Sequence, residues 1–134
     1  MSATEQGVRV MTAERLTDFF DAWNAHDVDR VVEFFTADGA YFASIGPDDD
    51  GTAFRGIDEV RRGVAAFLGT YPDAHYTDAR ILIDGDRGHA QWTFSGTNRS
   101  GELVRYRGVD VFEFVGELIS LKDAYRKERA APIG

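Results

Sequence analysis

The chain has 134 residues, no cysteine, and 23 acidic against 15 basic side chains, for a formal net charge of −8 at pH 7. That acidity argues against nucleic acid and anionic membranes as partners, because both need clustered cations. The lack of cysteine excludes disulfides, thiolate metal sites and cysteine nucleophiles and fits a reducing cytoplasm, and no signal-type or membrane-spanning apolar run is present.

This is the commonest length for one domain, and no Pro/Ser/Gly-rich linker divides it. Residues 1–11 carry no periodicity and are expected to be a flexible arm. Thr12 is a fair cap for a helix with Leu16, Phe19, Phe20 and Trp23 on one face, broken at Asn24-Ala25-His26. Asp27 caps a second helix carrying Val28, Val31, Val32 and Phe35, expected to close at Asp38-Gly39. Residues 40–44 read as a short strand, and a third helix carries Ile57, Val60, Val64, Phe67 and Leu68 before Tyr71-Pro72 ends it. Strands are expected at about 75–84, 88–97, 103–115 and 118–127, with a tail from 128 to 134. Helices that precede a run of antiparallel strands predict an α+β domain over 12–127, its curved sheet wrapped around three helices and enclosing a conical cavity.

The last two predicted strands form a hairpin that turns near Val115-Gly116. Period-2 reading puts Tyr106, Asp110, Phe112 and Phe114 on one face of the first strand, and Ile119, Leu121, Asp123 and Tyr125 on one face of the second. Arg105, Arg107, Lys122 and Arg126 fall on the opposite faces. This parity predicts Asp110 and Asp123 inside one cavity, roughly 4.5–8 Å apart. Two carboxylates that close in an apolar setting share a proton, which suits acid–base chemistry on a small molecule. Either aspartate replaced by asparagine is then expected to keep the fold nearly intact.

Ten Phe, five Tyr and two Trp supply walls for such a cavity. Trp92 and Phe94 share a face by alternation, and Trp23 points from the first helix toward the same space. Tyr41, Tyr106 and Tyr125 each place a hydroxyl on an apolar face, where it needs a partner. His75, at a strand start, is a candidate for the cavity mouth. Three scattered histidines make no metal-ligand spacing, and Asp48-Asp49-Asp50-Gly51 departs from a calcium loop at Thr52 and Ala53. No phosphate cradle or nucleophile elbow occurs, so neither cofactor nor metal is expected.

In order and spacing, LTDFFDAWNAHDVDRVVEFFTADGAY (16–41), FRGIDEVRRGVAAFLGTYPDA (54–74), FSGTNRSGE (94–102) and the closing hairpin resemble the SnoaL-like branch of the nuclear-transport-factor-2-like superfamily. The resemblance implies an α+β cone with a deep pocket, usually dimeric through the sheet. Members of the superfamily include ketosteroid isomerases, limonene-epoxide hydrolases, polyketide cyclases and noncatalytic modules. Asp110, in GVDVFEF, is similar to the protonated aspartate that donates to the oxyanion in ketosteroid isomerases. That family's tyrosine falls at Phe19 and its base at Ala43. Asp123, in SLKDAY, is similar to the acid of the epoxide hydrolases, whose Arg and second Asp fall at Trp92 and Phe94.

The expectation is a cofactor-free isomerase, cyclase or lyase acting on a small apolar carbonyl compound. Asp110 and Asp123 would be catalytic, with Trp23, Tyr41, His75, Trp92, Phe94, Tyr106 and Tyr125 around the substrate. A noncatalytic ligand-binding or dimerisation module and an epoxide-hydrolase-like activity are the alternatives. A homodimer through the outer sheet face is expected from the outward-facing Thr93, Val109 and Val111.

Overall fold

Thr12 begins the order seen in the computed structural model, which describes residues 9–129. Its hydroxyl accepts the Arg15 N–H at 3.1 Å and caps α1 (Ala13–Asn24), whose buried face is Leu16, Phe19, Phe20 and Trp23. The expected arm at 1–11 and tail at 128–134 lie largely outside the described residues, and inside them Met11 is buried in the core. The Asn24 side chain then clamps the far edge of the sheet: its Nδ2 donates to the Tyr76 carbonyl at 3.0 Å, and its Oδ1 accepts the Tyr76 N–H at 2.8 Å. His26 takes a left-handed φ of 59° and bonds the Ala74 carbonyl through Nε2 at 2.9 Å.

Asp27 caps α2 (Val28–Val32), which stops before the Phe35 that periodicity assigned to it. The reason is tertiary. The Phe34 carbonyl accepts the Ile119 N–H at 2.7 Å, so the chain is drawn into β1 (Phe35–Phe42) beside the last strand. A three-residue strand that periodicity did not reveal, β2 (Ala53–Arg55), folds back antiparallel on β1. The acidic turn between them closes on itself, with the Gly51 N–H donating to the Asp48 carbonyl at 2.9 Å. Next comes α3 (Ile57–Thr70), and then four long strands: β3 (His75–Asp84), β4 (Arg87–Thr97), β5 (Leu103–Val115) and β6 (Leu118–Arg126).

The six strands form one curved sheet in the order β2-β1-β6-β5-β4-β3, antiparallel throughout except where β1 runs parallel to β6. The α+β expectation is met. Helices α1 and α3 fill the concave side, where Leu16, Phe19, Trp23, Phe34, Val60, Val64, Phe112 and Ile119 are fully buried. Phe19 is the hub, with edge-on contacts to Phe20, Trp23, Phe34, Phe35 and Phe112. No helix among the described residues is long and apolar enough to cross a membrane.

One irregularity decides the interior. Phe114 pairs with Ile119, but Glu113 pairs with Leu121, so Ser120 is an extra residue on β6. Such a bulge reverses the side-chain parity of everything beyond it. Ile119 points inward, and past Ser120 the inward positions become Lys122, Ala124 and Arg126. Gly108, opposite Arg126, is glycine for a reason: a Cβ there would collide with the Trp92 ring and the Tyr125 carbonyl.

Candidate functional site

The expected pair of aspartates does not form. Asp110 is inside and completely buried, whereas the Ser120 bulge turns Asp123 to the other face of the sheet. There Asp123 accepts the Tyr125 hydroxyl at 3.0 Å. Tyr125, assigned to the pocket by the same parity, is 54% exposed on that outer face. His75 is exposed at the start of β3, paired with Ser95, and borders neither interior cavity described below. The outward assignments of Lys122 and Arg126 are reversed as well.

Lys122 replaces Asp123 as the partner of Asp110. Its Nζ lies 3.1 Å from Asp110 Oδ1, and the two side chains are 2% and 0% exposed. The ammonium also sits 4.6 Å from the Trp23 ring centroid and 4.7 Å from that of Tyr41, so its charge is held by a carboxylate and two π faces. A signal for this contact does exist in the sequence. A carboxylate in phase with an apolar strand needs a counter-charge, and a one-residue shift of β6 supplies one.

Asp110 keeps one oxygen in reserve. Its Oδ2 has no hydrogen-bond partner, and neither has the Trp92 Nε1 that faces it. Burial pushes the Asp110 carboxyl up from its ordinary range, while the Lys122 charge and hydrogen bond and the Trp92 indole pull it down. The hydroxyls of Tyr41 and Tyr76 are both pushed well above 10.0, first by burial and then by the charge of Asp110. They are therefore neutral hydrogen-bond donors at any ordinary pH.

In front of this group a cavity of about 290 Å³ opens between β1, β2 and α3, bounded by Tyr41, Phe54, Phe67, Tyr71 and Arg126. It narrows to a crevice of about 10 Å³ walled by Tyr41, Tyr76, Trp92, Phe94, Tyr106 and Arg126. Of the expected site residues, Tyr41, Trp92, Phe94 and Tyr106 thus meet in one place. Trp23 lies deeper, under Lys122. Tyr76, Lys122 and Arg126 are the members that the sequence reading missed. The Arg126 guanidinium lies 4.1 Å over the Tyr106 ring and pairs with Glu128.

The buried phenols give a direct pH prediction. Between the unfolded value of 10.0 and the higher folded values, the native state holds protons that the unfolded chain releases. Stability is therefore intact below pH 10 and falls as pH rises beyond it, by about 1.4 kcal/mol per pH unit for each tyrosine. Alkaline titration followed by tyrosinate absorbance should show two phenols ionising only with unfolding. Tyr41→Phe and Tyr76→Phe should each remove one of them. Reversible titration of all five phenols near pH 10 in the folded protein would refute this placement.

Among solved structures, the fold is similar to a ketosteroid isomerase-like protein from Catenulispora acidiphila in complex with trimethylamine. The TM-score is 0.75 at 19% identity, over 86% of each chain. It is also similar to a proposed polyketide cyclase from Xanthomonas campestris, with TM-score 0.73 and 17% identity over 84% of this chain and 87% of that one. An epoxide hydrolase/cyclase-like enzyme of pyran ring formation in the polyether salinomycin matches with TM-score 0.72 and 21% identity, over 85% of this chain and 88% of the other. No curated protein matches the chain. The family model for the SnoaL-like domain matches residues 16–121. With that match over most of its length, on a helix-filled cone of curved sheet, the chain belongs to the SnoaL-like family of the nuclear-transport-factor-2-like superfamily.

Proposed function

We propose that the protein is a cofactor-free enzyme of isomerase, cyclase or lyase type that acts on a small, largely apolar carbonyl compound. The observation that carries this is convergence: two phenols that cannot ionise at neutral pH border the narrow aromatic crevice at the back of the cavity, with the Asp110–Lys122 pair beside them. Tyr41 and Tyr76 would donate hydrogen bonds to the carbonyl oxygen as negative charge develops there, a role worth roughly 10²–10³ in rate per donor. The proton leaving the carbon next to the carbonyl would pass by way of a bridging water to Asp110 Oδ2, the carboxylate oxygen with no hydrogen-bond partner of its own, while both phenols keep their protons on the carbonyl oxygen. The electron pair of the broken C–H bond would move into the carbonyl to form the enolate. Return of the proton at another carbon completes an isomerisation, and attack by the enolate on a second carbonyl closes a ring.

Hydrogen–deuterium exchange tests this without knowledge of the natural substrate. Acetophenone and cyclohexenone in D₂O should lose their α-protons faster with the protein than in buffer. Tyr41→Phe and Tyr76→Phe should each slow that exchange by about 10²-fold. The complete burial of Asp110 favours a second reading, a noncatalytic module that binds the same compounds. Such a module would give ligand-induced shifts in the protein's NMR spectrum with no exchange above buffer. Epoxide opening with Asp123 as acid is not part of the proposal, since that carboxylate lies outside the cavity.

The proposed assembly is a homodimer through the outer sheet face. That face carries Val111 and Tyr125 at 43% and 54% exposure, beside a groove of about 440 Å³ bordered by Gln91, Arg107 and Val109. Sedimentation at micromolar concentration should report twice the 14.9 kDa chain mass, and a single species of the chain mass would rule the dimer out.

A further inference from the structure

One charged side chain borders the interior cavity. Among the described residues, every other lining group of the 290 Å³ space and the crevice behind it is neutral, and Arg126 alone carries a charge. The Asp110–Lys122 pair behind the wall is internally balanced, so the field facing a guest is that of Arg126. Its side chain is only 11% exposed, stacked on Tyr106 and neighboured by the Tyr71 hydroxyl.

A guanidinium so far out of water needs an anion. In this structure the anion is Glu128, two residues on and outside β6. Arg126 Nε donates to one carboxylate oxygen at 3.1 Å and Nη2 to the other at 3.4 Å, the side-on fork that arginine makes with carboxylates. Glu128 is itself 66% exposed, and an ion pair with so wet a partner is weak and exchangeable.

We infer that the compound taken by this cavity carries a carboxylate on a flat apolar body. Its carboxylate displaces that of Glu128 from Arg126, and its body lies among Phe54, Phe67 and Phe94. The inference deepens the proposed function by naming the substrate class, and it rests on that reading of the cavity as the place where substrate sits. A space of about 290 Å³ holds roughly ten waters, or one aromatic ring with a short chain. The chain's net charge of −8 opposes an anion at long range. That repulsion is screened beyond about 10 Å in 0.1 M salt, and the Arg126 contact acts well inside it. Organic cations are disfavoured twice, by Arg126 at the wall and by the Lys122 ammonium that already occupies the Trp23–Tyr41 faces.

The test compares trans-cinnamate with its neutral isostere cinnamamide by calorimetric titration at pH 7 and 0.1 M salt. Full-length wild type, Arg126→Gln and Glu128→Gln are used, with folding checked by circular dichroism. Cinnamate should bind wild type at least 10-fold more tightly than cinnamamide, and Arg126→Gln should abolish the difference. Glu128→Gln should tighten cinnamate several-fold and leave cinnamamide unchanged. Because Glu128 is exposed, that variant remains informative even if Arg126→Gln fails to fold. Equal affinities for acid and amide in wild type, no binding of either, or no effect of Glu128→Gln on cinnamate would each overturn the inference. Ketone exchange that persists beside equal affinities would spare the catalytic reading and sink only this one. Selective cinnamate binding without any ketone exchange would do the reverse.

Discussion

Asp110→Asn will lower the unfolding free energy by about 3–5 kcal/mol, and adding Lys122→Met to the same chain will recover most of that loss. An isosteric amide is a mild change where an aspartate is a neutral acid, which is how the sequence alone presents Asp110. Here the amide instead strands a 2%-exposed ammonium against one neutral oxygen and two aromatic rings. Methionine has nearly the stem length of lysine and no charge, so the double variant leaves an uncharged group on an apolar floor. Lys122→Met alone should cost less than Asp110→Asn. Burial already pushes the Asp110 carboxyl up, so it can take a proton when its partner is gone. That single variant therefore becomes more stable as pH falls through the raised value, because the proton then neutralises the buried group. Urea unfolding of the four chains gives the coupling energy directly, and additive single effects would mean that the pair contributes no mutual stabilisation.

Phe19→Ala should cost about 3–5 kcal/mol, through lost transfer energy and the cavity it leaves. The residue is 0% exposed, and its ring meets those of Phe20, Trp23, Phe34, Phe35 and Phe112, so no neighbour can collapse into the space without leaving another contact. A single substitution of this size should lower the thermal midpoint by about 6 °C or more in a domain of this length, at roughly 2–4 °C or more per kcal/mol. A loss below about 1 kcal/mol would show that the aromatic cluster repacks. Phe19 also occupies the position where the family resemblance places a ketosteroid isomerase tyrosine. The oxyanion-donor role is accordingly proposed for Tyr41, which borders the cavity from β1, and Tyr76, which borders the crevice behind it from β3.

Much of the architecture was legible because it rests on local chemistry. Thr12 and Asp27 cap helices as their side chains predict, and the stripe Leu16, Phe19, Phe20, Trp23 can be buried only as a helix face. The alternation of Trp92 with Phe94, and of Asp110 with Phe112 and Phe114, correctly put those side chains inside. The end of α2 and the strand Ala53–Arg55 were not legible. The first depends on Ile119 taking the Phe34 carbonyl from 85 positions down the chain, and the second on three residues with no periodicity of their own.

By itself, the sequence determined the α+β class, the helix caps, the aromatic interior and the burial of Asp110, because each follows from the hydrophobic period of one continuous segment. Only the tertiary structure decided which residue answers that carboxylate. A single extra residue at Ser120 costs little locally and is set by how β6 fits between β1 and β5, yet it reverses every side chain beyond it. Asp123 and Tyr125 went out by that one step, and Lys122 and Arg126 came in. Period-2 reading cannot see the step, because it assumes the uninterrupted pleat that a bulge breaks. The pull of an unpaired buried carboxylate on a cation is a relation between two strands, settled only once both are in place.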